Sequence, residues 1–139
     1  MDDRFLLAVW DGQKLHKPPF GARIGTGILL SHCWGAHDWG FYNGDVLLAG
    51  SGDGRSKLLQ CTGLKDENGT LIWEGDIVKD SDDGLMGVVF WNKGDAAFDV
   101  KGRIQGDEDV DEWDCGLGAI ASYCVTLGNI YENPELLPE

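Results

Sequence analysis

The sequence predicts a mainly β fold, an antiparallel meander curled into a small SH3-like barrel. Apolar residues recur with a period of two more often than with the helical period of 3.6. Turn sequences rich in Gly, Asn and Asp separate these short apolar runs, and 21 of the 139 residues are glycines at aperiodic positions. Short strands joined by tight turns favour a sheet that curls on itself, because a flat open sheet of this size would expose its edges.

The N-terminal part predicts a hairpin followed by a segment of ambiguous structure. The stretch FLLAVWDGQKLHK has an apolar run, an Asp11-Gly12 turn and a polar return. Residues 18–39 are compatible with two further strands or with a loop collapsed around Trp residues. The stretches 41–54 and 72–84 share a pattern, with apolar residues before X-Gly-Asp and two aliphatic residues after it. This pattern suits a strand entered through a tight turn.

The central stretch CTGLKDENGTLIWEGDIVKD predicts two strands joined by a hairpin. Asn68-Gly69 lies between two apolar runs, which is the strongest short-range hairpin signal. Gly75 and Asp76 are predicted to turn the chain into the next strand. We interpret these residues as architectural, because the pattern is that of strands and turns and contains no catalytic motif.

The C-terminal part predicts one more hairpin, a strand and a helical turn. Residues 88–91 and 97–100 are strand-like and flank a turn at 92–95. The acidic segment 106–114 is expected to be a solvated loop, and a strand is expected at 123–127. Asn133-Pro134 is expected to open a short C-terminal helical turn, since Pro suits the first helical position.

The charge is strongly acidic and unevenly distributed. The chain has 11 Lys and Arg against 24 Asp and Glu, a formal net charge of −13. Residues 1–57 have six basic and six acidic residues, and residues 58–139 have five basic and eighteen acidic residues. We therefore predict one domain, residues 1–139, with a variable N-terminal part (1–57) and an acidic β-barrel core (58–139). Direct nucleic-acid binding is disfavoured, because it depends on Lys and Arg contacts to phosphates.

The cysteines and the N-terminal residues bear on the cellular compartment. The four cysteines form no CxxC pair and match no zinc pattern, although an even number would permit two disulfides. The sequence MDDRFLLAVWDG has an apolar run of only six residues, too short for a signal peptide or a membrane span. We expect a cytoplasmic protein of a bacterial host, with free thiols, no cofactor and no membrane association.

Two stretches of the chain resemble the signature blocks of a known family. QCTGLKDENGTLIWEGDIVKD (60–80) and LGNIYENPELL (127–137) resemble the two blocks of the YopX family of phage and prophage proteins, in the same order. FLLAVWDG is similar to the N-terminal strand of the family, with Val9 as an additional residue, whereas residues 17–57 depart from the family pattern. The resemblance implies a largely β domain encoded by a phage or prophage. The resemblance brings no assigned enzymatic activity and transfers no catalytic residues.

Two groups of residues are candidates for a metal, nucleophile or protein-docking site. His16, His32 and His37 lie in the N-terminal part, but His32 and Cys33 would point to opposite faces of one strand, which disfavours a shared metal or nucleophile site. The run GDEDVDEWD fails as a calcium loop, because Glu112 stands where Gly is required. The alternative to a solvated loop is a protein-docking surface with an apolar anchor. Its residues would be Asp107, Glu108, Asp109, Asp111, Glu112 and Trp113.

The sequence therefore predicts a non-catalytic binding or assembly module. The partner would be a second copy of the chain, giving a homo-oligomer, or a host protein. An acidic inhibitor that imitates nucleic-acid charge and blocks a basic host protein is one alternative. An enzyme of unknown reaction is the other.

Overall fold

The computed structural model describes residues 6–18, 27–33, 36–43, 46–50, 52, 54–105 and 110–137. Within these residues the chain is mainly β, with one short helix, α1 (Leu117–Ile120), and 3-10 turns at Ala121–Tyr123 and Pro134–Leu136. The strands are β1 (Leu7–Trp10), β2 (Leu15–His16), β3 (Gly27–Cys33), β4 (Ala36–Asn43), β5 (Val46–Gly50), β6 (Lys57–Lys65), β7 (Leu71–Trp73), β8 (Asp76–Asp80), β9 (Met86–Asn92), β10 (Ala97–Gln105), β11 (Val110–Gly116) and β12 (Cys124–Asn129).

The chain divides into two compact units. We call Leu6–Leu59 the N-terminal unit and the part that contains Gln60–Glu139 the C-terminal unit. Strand β6 runs across the division. The division lies between Leu59 and Gln60. This is two residues after residue 57, which ends the charge-balanced part of the sequence.

The N-terminal unit begins with the predicted hairpin. Strands β1 and β2 are antiparallel, with Val9 opposite His16. Asp11 closes the turn, because its Oδ1 accepts the backbone amides of Gln13 (2.8 Å) and Lys14 (2.7 Å). Gly12 has a φ of +99°, a conformation that glycine adopts without strain. The hairpin prediction is confirmed.

The ambiguous segment of the N-terminal unit contains strands. Strands β3, β4 and β5 form an antiparallel three-stranded sheet in that order. Val9, Phe41 and Ala49 are the buried members of a small apolar core in this unit. Residues 19–26, 34–35 and 44–45 lie outside the described residues, and with them the predicted turn before Val46.

The C-terminal unit contains a five-stranded antiparallel sheet in the order β11-β10-β9-β8-β12. Strands β8 to β11 form a meander, and β12 returns beside β8 to curl the sheet as a half-barrel. The inner face packs on an apolar core to which α1 contributes Leu117. The predicted fold class, including the short helical turn near the C-terminus, is confirmed. None of the helical segments described here has the length and apolar character needed to span a bilayer.

The predicted hairpins of the C-terminal unit are confirmed. Strands β6 and β7 are antiparallel, and Gly69 in their connection has a φ of +82° and donates its amide to the carbonyl of Asp66 (3.0 Å). Strands β9 and β10 pair with Trp91 opposite Phe98. Their turn ends at Ala96, which has a φ of 51°.

The sequence predicts a solvated loop at 106–114. This prediction is wrong for part of the segment, because that part is a strand. Val110–Gly116 forms β11 and pairs with β10 in antiparallel register. Asp and Glu have low β-propensity, but cross-strand pairing outweighs such local preferences. Residues 106–109 lie outside the described residues, and with them the candidate docking residues Asp107, Glu108 and Asp109.

Candidate functional site

The side chain of Asp66, in the first signature stretch (60–80), bonds to the residue that directly precedes the second stretch (127–137). Its Oδ1 accepts the backbone amides of Asn68 (2.9 Å) and Thr70 (3.0 Å), which holds the connection between β6 and β7. Its Oδ2 accepts the backbone amide of Thr126 on β12 (2.9 Å), sixty residues further along the chain. One carboxylate therefore ties the β6–β7 hairpin to the terminal strand of the five-stranded sheet.

These hydrogen bonds determine the charge state of Asp66. Burial by itself raises the pKa of this carboxyl, but the amides of Thr126, Thr70 and Asn68 favour the ionised form and bring its pKa below the ordinary value of 3.8. The residue is only 6% exposed. Asp66 is thus a structural carboxylate that stays ionised at neutral pH, where it cannot donate a proton.

The turn between β7 and β8 packs against the second signature stretch. Gly75 has a φ of +87°, and its amide donates to the carbonyl of Val89 (2.9 Å). Its own carbonyl accepts the amide of Ile130 (2.9 Å). A Cβ at this position would lie 2.8 Å from Cε2 of Tyr131. Both the backbone conformation and the space beside Tyr131 therefore require glycine.

The remaining turn residues from the sequence analysis also make local structural bonds. Asp76 is buried, and its Oδ2 accepts the backbone amide of Trp73 (2.8 Å). The amide of Asn133 donates to the carbonyl of Asn129 (2.9 Å), and its Oδ1 accepts the amide of Asn129 (3.3 Å). Pro134 occupies the first turn of the C-terminal 3-10 segment. The signature residues described so far hold strands and turns together.

An acidic surface forms where three turns of the C-terminal unit adjoin. Ser81 donates its hydroxyl to Glu67 Oε2 (2.8 Å) and its amide to the carbonyl of Tyr123 (2.9 Å). Asp82 and Asp83 follow in the same turn. All five residues are exposed, and 56% of the Tyr123 surface is accessible. We call Glu67, Ser81, Asp82, Asp83 and Tyr123 the acidic corner.

The carboxylates around this corner differ in what they contact. Asp80 Oδ1 accepts the amides of Asp82 (2.8 Å) and Asp83 (3.4 Å), and Asp83 Oδ1 accepts the amide of Leu85 (2.9 Å). Within the described part of the chain, the Asp82 carboxylate accepts no hydrogen bond. Sequence reasoning did not single out this cluster, because Glu67 and Ser81 are fourteen residues apart and only the fold brings their turns together.

The candidate docking anchor Trp113 lies on β11 and is only partly exposed. Its indole packs against the core of the C-terminal unit and lies over Gly102, the residue opposite it on β10. A Cβ on Gly102 would come within 2.7 Å of the indole Nε1. Asp111 and Glu112 precede Trp113 on the same strand, and their side chains lie outside the described part. A docking role for these residues stays a prediction.

The thiols of the C-terminal unit are poor nucleophiles. Burial raises the pKa of Cys124 to about 11, and the negative charges of Asp66 and Asp80 add to this effect. Burial also raises the pKa of Cys115, with a further contribution from Asp99. Cys61, Cys115 and Cys124 are free thiols. Within the described residues, no three His, Cys, Asp or Glu side chains come together as metal ligands would.

The three histidines are distributed over two parts of the N-terminal unit. His16 Nε2 lies 2.8 Å from Asp11 Oδ2 at the first hairpin, and its ring packs 4.9 Å from that of Phe41. His32 and His37 stand opposite each other in the β3–β4 register. The side chains of His32, Cys33 and His37 lie outside the described part, so their convergence stays an open prediction.

Comparison with known protein families matches residues 36–138 to YopX protein. The chain belongs to the YopX family. Both signature stretches lie inside the matched range, which confirms the resemblance drawn from their residues. In this chain the Ile130 amide, in the second block, donates to the Gly75 carbonyl in the first, and Asp66 bonds to Thr126, the residue before the second block. A search of curated proteins finds no match.

Two solved structures resemble the YopX chain. The protein yopX from Bacillus subtilis has a TM-score of 0.59 and 24% identity, covering 97% of this chain and 99% of that chain. The protein EF1440 from Enterococcus faecalis has a TM-score of 0.46 and 18% identity, covering 96% and 97%. At this level of identity, the likeness to the Bacillus protein shows a shared fold.

Proposed function

We propose that this YopX chain is a non-catalytic binding module that a phage or prophage encodes, and that it acts in the bacterial cytoplasm on a protein with a basic surface. The observation that carries the proposal is the charge distribution. Residues 58–139 have eighteen acidic and five basic residues, a net charge of −13, whereas residues 1–57 are balanced. A field of one sign attracts an oppositely charged partner and speeds its association.

The acidic corner is the part of this surface best suited to specific recognition. Glu67, Asp82 and Asp83 supply exposed carboxylates, and Tyr123 supplies an exposed aromatic ring beside them. Tyrosine is enriched among residues that dominate binding energy, because it combines a large contact area with a polar tip. A cationic side chain of the partner would contact the carboxylates while its aliphatic stem covered the ring.

Nucleic-acid-binding proteins are the host class that fits this surface. Their binding grooves present Lys and Arg to phosphates, and an acidic surface competes for the same side chains. Direct binding of the chain to nucleic acid is disfavoured by the same charge. We therefore infer a role in blocking or recruiting such a host protein.

The absence of catalysis is part of the proposal. Among the described residues of the C-terminal unit, backbone amides keep the pKa of Asp66 low, burial raises the pKa values of Cys115 and Cys124, and burial raises the pKa of Glu74, whose Oε2 accepts the amide of Gln60 (3.5 Å). A general acid or base would instead have its pKa tuned toward neutrality in an accessible cleft. These groups support a binding function.

The experiment is an affinity capture from bacterial lysate with three versions of the chain. The first is the wild type. The second combines Glu67→Gln, Asp82→Asn and Asp83→Asn, which removes three charges but keeps the acceptor oxygens that Ser81 and Leu85 use. The third is a control that removes two exposed charges elsewhere, Asp95→Asn with Glu135→Gln.

We expect a host protein that the wild type and the control retain, that salt of about 0.5 M releases, and that the corner variant fails to retain. A Debye length of about 3–5 Å at such ionic strength suppresses contacts between exposed charges. Recovery of no salt-sensitive partner, or equal recovery by the corner variant, would contradict the proposal.

The N-terminal unit favours a second candidate function, homo-oligomer assembly. Strand β5 is the terminal strand of its sheet and exposes Leu47 (57%) and Leu48 (44%). The β4–β5 register shifts between Ala49 and Leu47, so Leu48 is an extra residue in a bulge. Adjacent exposed leucines on a sheet edge invite pairing with another chain.

Light scattering behind size exclusion tests this candidate. A salt-resistant dimer that Leu48→Lys converts to a monomer would support assembly through β5. Monomeric behaviour of the wild type across micromolar concentrations would exclude it.

A further inference from the structure

Strand β11 ends the five-stranded sheet and offers a backbone edge. The order β11-β10-β9-β8-β12 leaves β11 paired on one side only, to β10, within the described residues. In an edge strand, the N–H and C=O groups of every second residue point away from the neighbour strand. These groups form hydrogen bonds readily with an added strand.

The two faces of β11 differ in chemistry. Trp113 and Cys115 pack against the core of the unit, so they define the inner face. Asp114 lies between them on the outer face and is exposed. Glu112 stands two residues earlier in the strand, opposite Arg103 on β10. An added strand would therefore meet Trp113 and Cys115 on the inner face and Asp114 on the outer face.

The lysine opposite Asp114 is directed toward another strand. Lys101 is directly opposite Asp114 on β10, but its ammonium lies over the ring of Phe90, 4.9 Å from the centroid, on the far side toward β9. Within the described part of the chain, the Asp114 carboxylate forms no ion pair or hydrogen bond. A cation on an added strand would fill the side of Asp114 that faces away from β10.

We propose that the outer edge of β11 binds an extended segment of a partner protein in which cationic and apolar residues alternate, so that this segment becomes a further strand of the sheet. The cationic residues would face Asp114, and the apolar residues would continue the inner face beside Trp113. The inference rests on the proposed function, a basic partner, and it adds the mode of recognition.

The charge of the edge selects this occupant over a second copy of the chain. Two copies pairing through β11 about a two-fold axis would bring together the outer faces that carry Asp114, and like charges on neighbouring strands are destabilising. An extended basic segment has the opposite charge. Its backbone N–H and C=O groups stay available for hydrogen bonds with the outer edge of β11.

The test uses the full chain and two labelled heptapeptides of identical composition. One alternates lysine and valine, and the other has its four lysines followed by its three valines. Fluorescence anisotropy at moderate salt measures both affinities. General attraction to an acidic protein treats the two peptides alike, whereas strand addition requires the alternation. We expect the alternating peptide to bind at least about tenfold more tightly.

Two chain variants locate the binding. Asp114→Lys reverses a charge on the edge, and Glu135→Lys makes the same charge change at an exposed position near the C-terminus. We expect only Asp114→Lys to weaken the alternating peptide, by about tenfold. Hydrogen exchange of the wild type supplies a readout that needs no variant, because the amides of Val110–Gly116 that point away from β10 would exchange more slowly when the alternating peptide binds.

Equal affinity for both peptides, no binding of either, equal effects of the two variants, or unchanged exchange in β11 would each overturn the strand-addition proposal. These outcomes leave the lysate capture unaffected, so a basic partner that binds at the acidic corner would still support the proposed function. Conversely, a lysate capture without a salt-sensitive partner combined with selective peptide binding would reject the proposed function alone.

Discussion

Asp66 joins parts of the chain that are sixty residues apart, and its two carboxylate oxygens have separate tasks. Oδ1 holds the β6–β7 connection, and Oδ2 holds β12. Asparagine in its place can keep the first set of bonds through its amide oxygen. Its amide nitrogen would then face the Thr126 N–H, so two donors would meet where a donor and an acceptor now bond.

We therefore expect Asp66→Asn to lower the free energy of unfolding by about 1–3 kcal/mol, the usual range for losing a hydrogen bond to a buried charged group. Urea unfolding followed by tryptophan fluorescence measures the change. Asp82→Asn is the matched control, since this exposed carboxylate accepts no hydrogen bond in the described part of the chain, and its effect should stay within about 0.5 kcal/mol. Equal effects of the two substitutions would contradict the role assigned to Asp66.

The pKa of Asp66 predicts a pH dependence of stability. Because its pKa in the folded chain lies below the ordinary value of 3.8, the carboxylate stabilises the fold above that value. This contribution is lost as the pH falls through the folded pKa. Urea unfolding at several values between about pH 5 and pH 2.5 should therefore show a steeper loss of stability for the wild type than for Asp66→Asn. Parallel pH profiles would contradict the lowered pKa.

At the scale of the elements, the β10–β11 hairpin depends on a glycine opposite a tryptophan. Gly102 leaves room for the Trp113 indole, and a Cβ there would also meet the carbonyl oxygen of Met86 and lie 2.7 Å from indole Cε2. Backbone atoms cannot move aside as a flexible side chain can. The methyl group must therefore displace the indole or shift the strand.

We expect Gly102→Ala to lower the free energy of unfolding by about 1–3 kcal/mol, as overpacking of a well-packed interior does. Gly118→Ala is the control, because a Cβ in α1 meets no atom within 4 Å and alanine favours a helix. Thermal unfolding by circular dichroism compares the two variants. A Gly102→Ala chain as stable as the wild type would show that Trp113 does not pack as described.

The sequence predicts some of these elements and misses others for physical reasons. The connections at Asp11-Gly12, Asn68-Gly69 and Asn92–Asp95 are predictable, because local hydrogen bonds and positive φ angles select their residues. Strand β11 is not predictable from the sequence, because its acidic residues disfavour a strand locally and only pairing with β10 holds them extended. The acidic corner is missed for a related reason, since its residues come from separate turns.

At the scale of the whole molecule, the charge balance changes along the chain. The change in charge balance after residue 57 lies two residues from the division into units. Both YopX signature stretches lie in the C-terminal unit, where the bond from the Ile130 amide to the Gly75 carbonyl connects them. The partner stays a prediction, because the charge of the chain indicates a class of partner and not a single protein.

The same charge predicts how the fold responds to salt. A net charge of −13 repels itself more strongly in the compact state than in the expanded unfolded chain, so screening should stabilise the fold. We expect the unfolding temperature to rise by about 2–5 °C between 0.02 M and 0.3 M sodium chloride, which corresponds to about 1 kcal/mol for a chain of this size. Differential scanning fluorimetry at pH 7 measures the shift.

A comparison at lower pH separates screening from other effects of salt. Near the sequence pI of about 4.4 the net charge approaches zero, and the repulsion that salt screens is largely gone. The rise in unfolding temperature should therefore shrink at pH 4.5 if self-repulsion is its cause. An equal rise at both pH values would assign the effect to preferential exclusion of salt, and a fall at pH 7 would mean that attractive ion pairs outweigh the repulsion.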